Sequence, residues 1–249
     1  KVDKRENMKN SQRFIKIYNH LDDYMRDLLD ESVKVSHTYL IDTLAKKNSL
    51  FRHYKNDLKE FAELRNAIVH NTHFSGKRFG EAIAEPINEV IKLYEELLHH
   101  VMQPKTAKDL YRRIDAETVL TANLNSPLIQ IIKLMHNRKN TCVPILEAGK
   151  LVGVFSENVL LSLIARNDVL DFNNLKVREI VDYIDINSHH GEYFVFCKIN
   201  DDIFKIKAFF QNQNSKKRLE MIFVTGNGNP KEHILGVISP WDLVGEISE

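Results

Sequence analysis

The sequence is poor in cysteine, glycine and proline, with 2, 9 and 6 of these residues among 249. Two isolated cysteines exclude a disulfide framework and give none of the short spacings of a zinc site. Cys142 and Cys197 each lie in an apolar run, so we expect both to be small core residues. No apolar run approaches the roughly 18 residues that span a bilayer, and no signal-peptide pattern is found. The default expectation is therefore a cytoplasmic protein without a membrane partner.

The chain also lacks an excess of positive or negative charge. The chain has 35 Lys and Arg against 34 Asp and Glu, a formal net charge of +1. Neither half departs strongly from neutrality, which excludes a polybasic platform for nucleic acid. Any contact with RNA must therefore be local, or be assembled from two chains.

The first half has the apolar periodicity of helices. Side chains at helical spacing occur in residues 12–30, 36–47, 54–70 and 80–102, which predicts a four-helix bundle. The pattern changes at Gln103-Pro104-Lys105, a predicted linker. We therefore divide the chain into residues 1–106 and residues 107–249.

One group of side chains in this half has chemical potential. Arg65, Asn66 and His70 lie within one and a half turns of a predicted helix, and Asn66 and His70 share a face because they are four residues apart. A guanidinium binds phosphate, and an imidazole moves protons near neutral pH. The pattern of Arg followed by His also occurs at Arg13 and His20, so chance is an open alternative.

The second half alternates short strands with helices. Strands are predicted at residues 119–122, 141–146, 151–155, 193–198, 219–224 and 233–238. Helices are predicted at 126–137, where Ser126-Pro127 is the cap, at 202–211, and after Ser156 and Ser239. Gly153-Val154-Phe155-Ser156 recurs as Gly236-Val237-Ile238-Ser239. This repeat predicts two stacked copies of one small α/β unit.

These features resemble a tandem pair of CBS domains, or Bateman module, with a first unit at about 112–169 and a second at about 174–249. The resemblance implies an adenine nucleotide (AMP, ADP or ATP) as regulatory ligand. The family's Ser/Thr-x-x-Asp pattern stands at Ser239 and Asp242, where a hydroxyl at a helix N-terminus favours phosphate and a carboxylate accepts ribose hydroxyls. The first copy has Val159 at the Asp position and is expected to lack this site. The resemblance also implies that the adenine is lined by four residues: Leu120, Thr141, Cys142 and Val237.

An ordinary helix cap is the alternative interpretation of Ser239 and Asp242. Paired histidines at His99-His100 and His189-His190 do not indicate a metal site, because adjacent residues on a helix face different ways and no carboxylates stand at ligand spacing. We therefore expect no metal.

The helical half resembles the HEPN family, many of whose members are metal-independent ribonucleases that form a composite cleft from two protomers. The resemblance implies catalytic roles for Arg65, Asn66 and His70. Attack of the ribose 2′-OH would leave a 2′,3′-cyclic phosphate, and no cofactor is needed. It also implies a toxin or antiviral-defence role.

The expectation is thus an α + α/β multidomain protein, with a four-helix HEPN-like bundle followed by a CBS-domain pair. We expect it to act as a homodimer that cleaves RNA under control of an adenine nucleotide. The alternative is a non-catalytic nucleotide sensor whose helical bundle serves dimerisation or partner docking.

Overall fold

The computed structural model describes residues 8–30, 35–70, 84–115, 117–166, 171–211 and 216–246. The side chains of His70, Gly245 and Glu246 lie outside the described part. The chain forms two compact units, Lys1–Lys105 and Thr106–Glu249. None of the described helices has the length and apolar character that crossing a membrane requires.

The first unit is helical, as the periodicity predicts. Its apolar stripes converge on one core that includes Phe14, Leu40, Leu58 and Tyr94. The rings of Phe61 and Tyr94 stack with centroids 4.1 Å apart. The described helices are α1 (Asn10–Leu29), α2 (His37–Lys47), α3 (Ser49–His53), α4 (Lys55–His70) and α5 (Asn88–Met102).

Two details of this unit differ from the sequence-based expectation. The short helix α3 was not predicted, and it begins where the Asn48 side chain accepts the backbone N–H of Leu50. Helix α5 starts at Asn88 and not at residue 80, since Pro86 disfavours a helical residue before it. Ile87 precedes the helix and is 62% exposed, although it falls within the predicted range 80–102. The first residues of that range, 80–83, lie outside the described part of the chain.

A buried histidine joins helices α1 and α2. His37 is 7% exposed, its Nδ1 lies 2.7 Å from Asp22 Oδ1, and its ring stacks on Tyr18 at 4.1 Å. Burial lowers the pKa of His37; Asp22 opposes this effect, while Arg26 and Arg65 add to it. The neutral imidazole is therefore favoured in the folded protein.

The second unit is α/β. Its described helices are α6 (Ala107–Leu110), α7 (Leu128–Arg138), α8 (Glu157–Arg166), α9 (Val181–Ile184) and α10 (Ile203–Gln211), with 3-10 helices at Val177–Ile180 and Pro240–Glu246. Its described strands are β1 (Arg112–Arg113), β2 (Cys142–Glu147), β3 (Lys150–Ser156), β4 (Glu192–Lys198), β5 (Arg218–Thr225) and β6 (Gly236–Ile238).

The described strands form two sheets. One sheet has the order β1-β6-β5-β4, in which β4 and β5 are parallel and the other pairs antiparallel. The other sheet is the antiparallel pair β2-β3. Strand β1, at the start of the first predicted CBS unit, therefore pairs with the last strand of the second.

Three predicted elements of this unit were wrong in detail. Residues 119–122 form no strand; Ala122 alone makes a parallel bridge to Ile145. The strand predicted at 233–238 is confined to Gly236–Ile238. Ser126 does not cap α7, because its hydroxyl accepts the backbone N–H of Asn123.

Gly153 and Gly236, the first residues of the two repeated segments, each lie in close contact with another part of the backbone. A Cβ on Gly153 would overlap the carbonyl of Ile184, and a Cβ on Gly236 would overlap Tyr111 and the carbonyl oxygen of Arg112. Each glycine therefore lets a backbone segment from outside its own repeat approach the strand.

We expect Gly236→Ala to lower the free energy of unfolding by about 1–3 kcal/mol, because the carbonyl of Arg112 cannot move without breaking the β1–β6 pairing. Gly226→Ala is the control, since the nearest atom to its new Cβ would lie 3.6 Å away. Chemical unfolding of both variants makes the comparison. Equal stability of the two would contradict the packing argument.

We also expect the stability of the protein to fall as the pH drops below 6.5, the ordinary pKa of histidine, because the unfolded chain binds a proton that buried His37 does not. The loss from this group is at most about 1.4 kcal/mol per pH unit. Unfolding measured at pH 7.5, 6.5 and 5.5 should show this loss of stability in the wild type. The control variant His20→Asn, which changes an exposed histidine on α1, should show the same loss. His37→Asn should be less stable at pH 7.5 and less dependent on pH. An unchanged pH dependence in His37→Asn would overturn the assignment.

Candidate functional sites

The strand pairing of the second unit brings a cation to the predicted Ser-x-x-Asp pattern. Arg112 Nε lies 3.1 Å from Asp242 Oδ1, and Arg112 Nη2 donates to Ser239 Oγ at 3.4 Å. The other carboxylate oxygen of Asp242 accepts both the backbone N–H and the hydroxyl of Ser239, each at 2.7 Å. Arg112 and Asp242 are 37% and 16% exposed, so the group lies at the edge of solvent.

The hydrogen bonds between Ser239 and Asp242 alone do not identify a ligand site. Thr106 and Asp109 have the same spacing, and Asp109 Oδ2 accepts the N–H and the hydroxyl of Thr106 at 2.8 and 3.0 Å. Both pairs satisfy backbone donors at a helix start, as the alternative interpretation predicts. The guanidinium at Asp242 is the additional feature, because it supplies a phosphate-binding group beside a carboxylate and a hydroxyl.

The four residues predicted to line an adenine lie in different surroundings. Cys142 and Val237 are buried in one apolar cluster, and burial raises the pKa of the Cys142 thiol to about 12. Leu120 is partly buried and packs against another cluster, in the first repeat. Thr141 is exposed and donates to Glu220 at 2.7 Å.

The predicted catalytic residues of the first unit lie near the end of α4. Arg65 is half-buried, and its Nη1 donates to the side-chain oxygen of exposed Asn66 at 3.4 Å. The guanidinium carbon of Arg65 lies 5.3 Å from the centre of the Tyr18 ring, in a cation–π contact. The side chain of His70 lies outside the described residues. Arg65 is thus held by an aromatic contact to α1.

A second polar cluster was not predicted from the sequence. In it, the buried Glu192 carboxylate contacts Ser156, Asn158 and His189. Ser156 and Asn158 lie 36 and 34 residues before Glu192 in the chain, so no local spacing joins them to it. Arg112 was missed for the same reason, since it lies 127 residues from Ser239.

The described residues contain no group of three His, Cys, Asp or Glu side chains that fits a metal ion. His100 Nδ1 lies 3.3 Å from the Tyr54 hydroxyl, and His190 Nε2 lies 3.4 Å from Arg166 Nη2. These histidines therefore have protein partners.

Comparison with known proteins identifies part of the second unit. Residues 107–166 match the family model of the CBS domain. No curated protein matches the chain.

Solved structures give weaker similarities. A putative acetoin utilization protein (AcuB) from Vibrio cholerae is 17% identical, with a TM-score of 0.44 over 58% of this chain and 90% of that one. The CBS domain pair of protein MJ0100, in complex with 5-methylthioadenosine and S-adenosyl-L-methionine, is 15% identical, with a TM-score of 0.40 over 58% and 96%. These similarities do not bear on the activity of this chain. The family match shows that the C-terminal half of this protein contains a CBS domain.

Proposed function

We propose that the unit Thr106–Glu249 is a tandem CBS pair that binds one adenine nucleotide beside Arg112, Ser239 and Asp242. The observation that carries this proposal is the ion pair between Arg112 and Asp242. Arg112 is suited to the phosphate, and Asp242 to the ribose hydroxyls. An ionised carboxylate has about four acceptor positions. Asp242 uses two of them on the backbone N–H and the hydroxyl of Ser239, and its other oxygen faces Arg112 in the ion pair.

In this proposal the ligand rearranges the ion pair. When the Arg112 guanidinium moves to the phosphate, Asp242 Oδ1 becomes available to the ribose. Thr141 and Leu120, which keep exposed surface, are the predicted adenine-lining residues that a ligand reaches most directly. Nucleotide binding would then act on β1, the strand that carries Arg112.

We propose further that the helical unit cleaves RNA through Arg65, Asn66 and His70 in a homodimer, and that the CBS pair regulates this activity. The specific observation in favour is the exposed amide of Asn66 beside a guanidinium whose position is fixed by Tyr18. Arg65 would bind the scissile phosphate, and His70 would transfer the proton of the 2′-OH. The competing function is a sensor in which Arg65 only packs and the helices serve dimerisation or partner docking.

Exposed apolar side chains support the homodimer. Leu161 and Ile164 on α8, and Trp241 and Val244 on the last 3-10 helix, are all more than half exposed, Trp241 to 83%. An interface with a second copy would remove this apolar surface from water.

We expect Asp242→Asn to weaken nucleotide binding at least tenfold, because the amide keeps the cap to Ser239 but loses the charge and acceptors that serve a ribose. Calorimetry with AMP, ADP and ATP measures this. Asp109→Asn is the matched control, since Asp109 makes the same cap to Thr106. Equal affinities of wild type and Asp242→Asn would remove the site, and equal weakening by Asp109→Asn would show a general loss of structure.

We expect the full-length protein to cut single-stranded RNA in the presence of a chelator, to leave a 2′,3′-cyclic phosphate, and to leave DNA intact. Arg65→Ala and His70→Ala should each slow cleavage on the order of a hundredfold or more, with helical content retained by circular dichroism. Arg13→Ala and His20→Ala, in the other Arg-and-His pattern, are the controls. RNA that stays intact with and without each nucleotide would establish the sensor alternative.

A further inference from the structure

The buried carboxylate of Glu192 is surrounded by side chains that hydrogen-bond it, as a bound anion would be. Glu192 begins β4 and is 1% exposed. Ser156 Oγ donates to its Oε1, and His189 Nδ1 lies 2.6 Å from the same oxygen. Asn158 Nδ2 donates to Oε2 at 2.8 Å. A hydroxyl, an imidazole and an amide thus converge on one anion from two different elements and a loop.

Burial of a carboxylate is costly unless hydrogen bonds replace its water. Burial raises the pKa of Glu192, but hydrogen bonds from His189, Ser156 and Asn158 outweigh this effect and hold the pKa below its usual range. The site is therefore strong enough to keep an anion ionised in the protein interior.

The repeat gives this site a counterpart in the second half of the unit. Ser156 is the last residue of β3 and Ser239 directly follows β6, and both hydroxyls donate a hydrogen bond to a carboxylate. In the second repeat that carboxylate is Asp242, one turn into the next helix. The first repeat has Val159 there, and Val159 offers only its backbone N–H to Ser156 Oγ, at 3.2 Å. Glu192 supplies the anion instead.

A cavity of about 370 Å³ adjoins the donors of this site. Asn158 and His189 both line it, and so do the cations of Arg166 and Lys217. Lys217 Nζ donates to the His189 carbonyl at 2.8 Å, which holds the ammonium at the cavity wall. Asp182 is the acidic residue among the cavity's lining side chains. The cavity therefore places two cations beside two of the residues that hold Glu192.

We propose that the first repeat has an oxyanion site of the carboxylate or phosphate class, and that the carboxylate of Glu192 occupies this site as a tethered anion. Glu192 thereby closes the first cleft to external anions. One consequence rests on the proposed function: the unit binds a single nucleotide, beside Asp242, and none beside Ser156.

Removal of the tethered carboxylate should make the site responsive to free anions. Glu192→Ala should lower the Tm by roughly 5 °C or more, because donors are left buried and unpaired. Sodium formate at 50 to 100 mM should restore about 2 °C or more of this loss, relative to sodium chloride of equal ionic strength. Acetate and phosphate test whether the vacated space also takes larger oxyanions. Wild type should not respond to formate.

Two further variants keep the test decisive. Glu192→Leu fills the same space without an anion and should not respond to formate. Glu192→Ser also vacates the space of the carboxylate but keeps a hydroxyl that can accept a hydrogen bond from its former donors. It replaces Glu192→Ala in the test if that variant does not fold. A formate response no larger than that of wild type or Glu192→Leu would overturn the proposal. Failure of both smaller variants to fold even in formate would overturn it too.

Nucleotide stoichiometry separates this proposal from the proposed function. Calorimetry on wild type should give one nucleotide per chain. Two per chain would overturn the closed first cleft and retain nucleotide binding. No binding would remove the proposed ligand of the second cleft, while a formate response of Glu192→Ala would still establish the oxyanion site.

Discussion

The antiparallel pairing of β1 with β6 is the contact on which the candidate nucleotide site depends. It joins the strand that begins the first CBS unit to the last strand of the second, with Arg112 opposite Val237. The close approach requires Gly236, where a Cβ would strike the Arg112 carbonyl. It brings a guanidinium to Ser239 and Asp242 across 127 residues of chain. A change in this pairing would therefore change the ion pair, and a ligand that rearranges the ion pair would act on the pairing.

Local patterns predicted most of the elements of this unit, because the strands and helices follow apolar periodicity and Gly-Ser boundaries. The exceptions are places where tertiary contacts decide. Residues 119–122 are apolar, but only Ala122 finds a strand partner, Ile145. The spacing of Ser239 and Asp242 predicted their hydrogen bonds, which the cap alone explains. No spacing could predict Arg112, since its place depends on strand order and not on neighbours in sequence.

The helical unit shows the same division between local and distant information. Helical spacing predicted that Arg65 and Asn66 lie together near the end of α4, and their side chains are in contact. It did not predict that Tyr18 on α1 binds the guanidinium, or that Arg65 helps to keep His37 neutral. These contacts give Arg65 a packing role in the fold. A catalytic role would have to use the same guanidinium, so the two roles can be separated only by activity and stability measured on the same variants.

The serine hydroxyls of the two repeats, Ser156 and Ser239, hydrogen-bond carboxylates that lie in different surroundings. Each repeat has a serine between a strand and a helical segment, at the last residue of β3 or directly after β6, and each hydroxyl needs an acceptor. The second repeat provides Asp242 at the edge of solvent, where it is paired with the guanidinium of Arg112. The acceptor for Ser156 of the first repeat is Glu192, which lies in the second CBS unit and is buried among three side-chain partners. A buried anion with satisfied hydrogen bonds is costly to displace, whereas a partly exposed ion pair is not. The pair of Arg112 and Asp242 is therefore easier to rearrange than the contacts of Glu192.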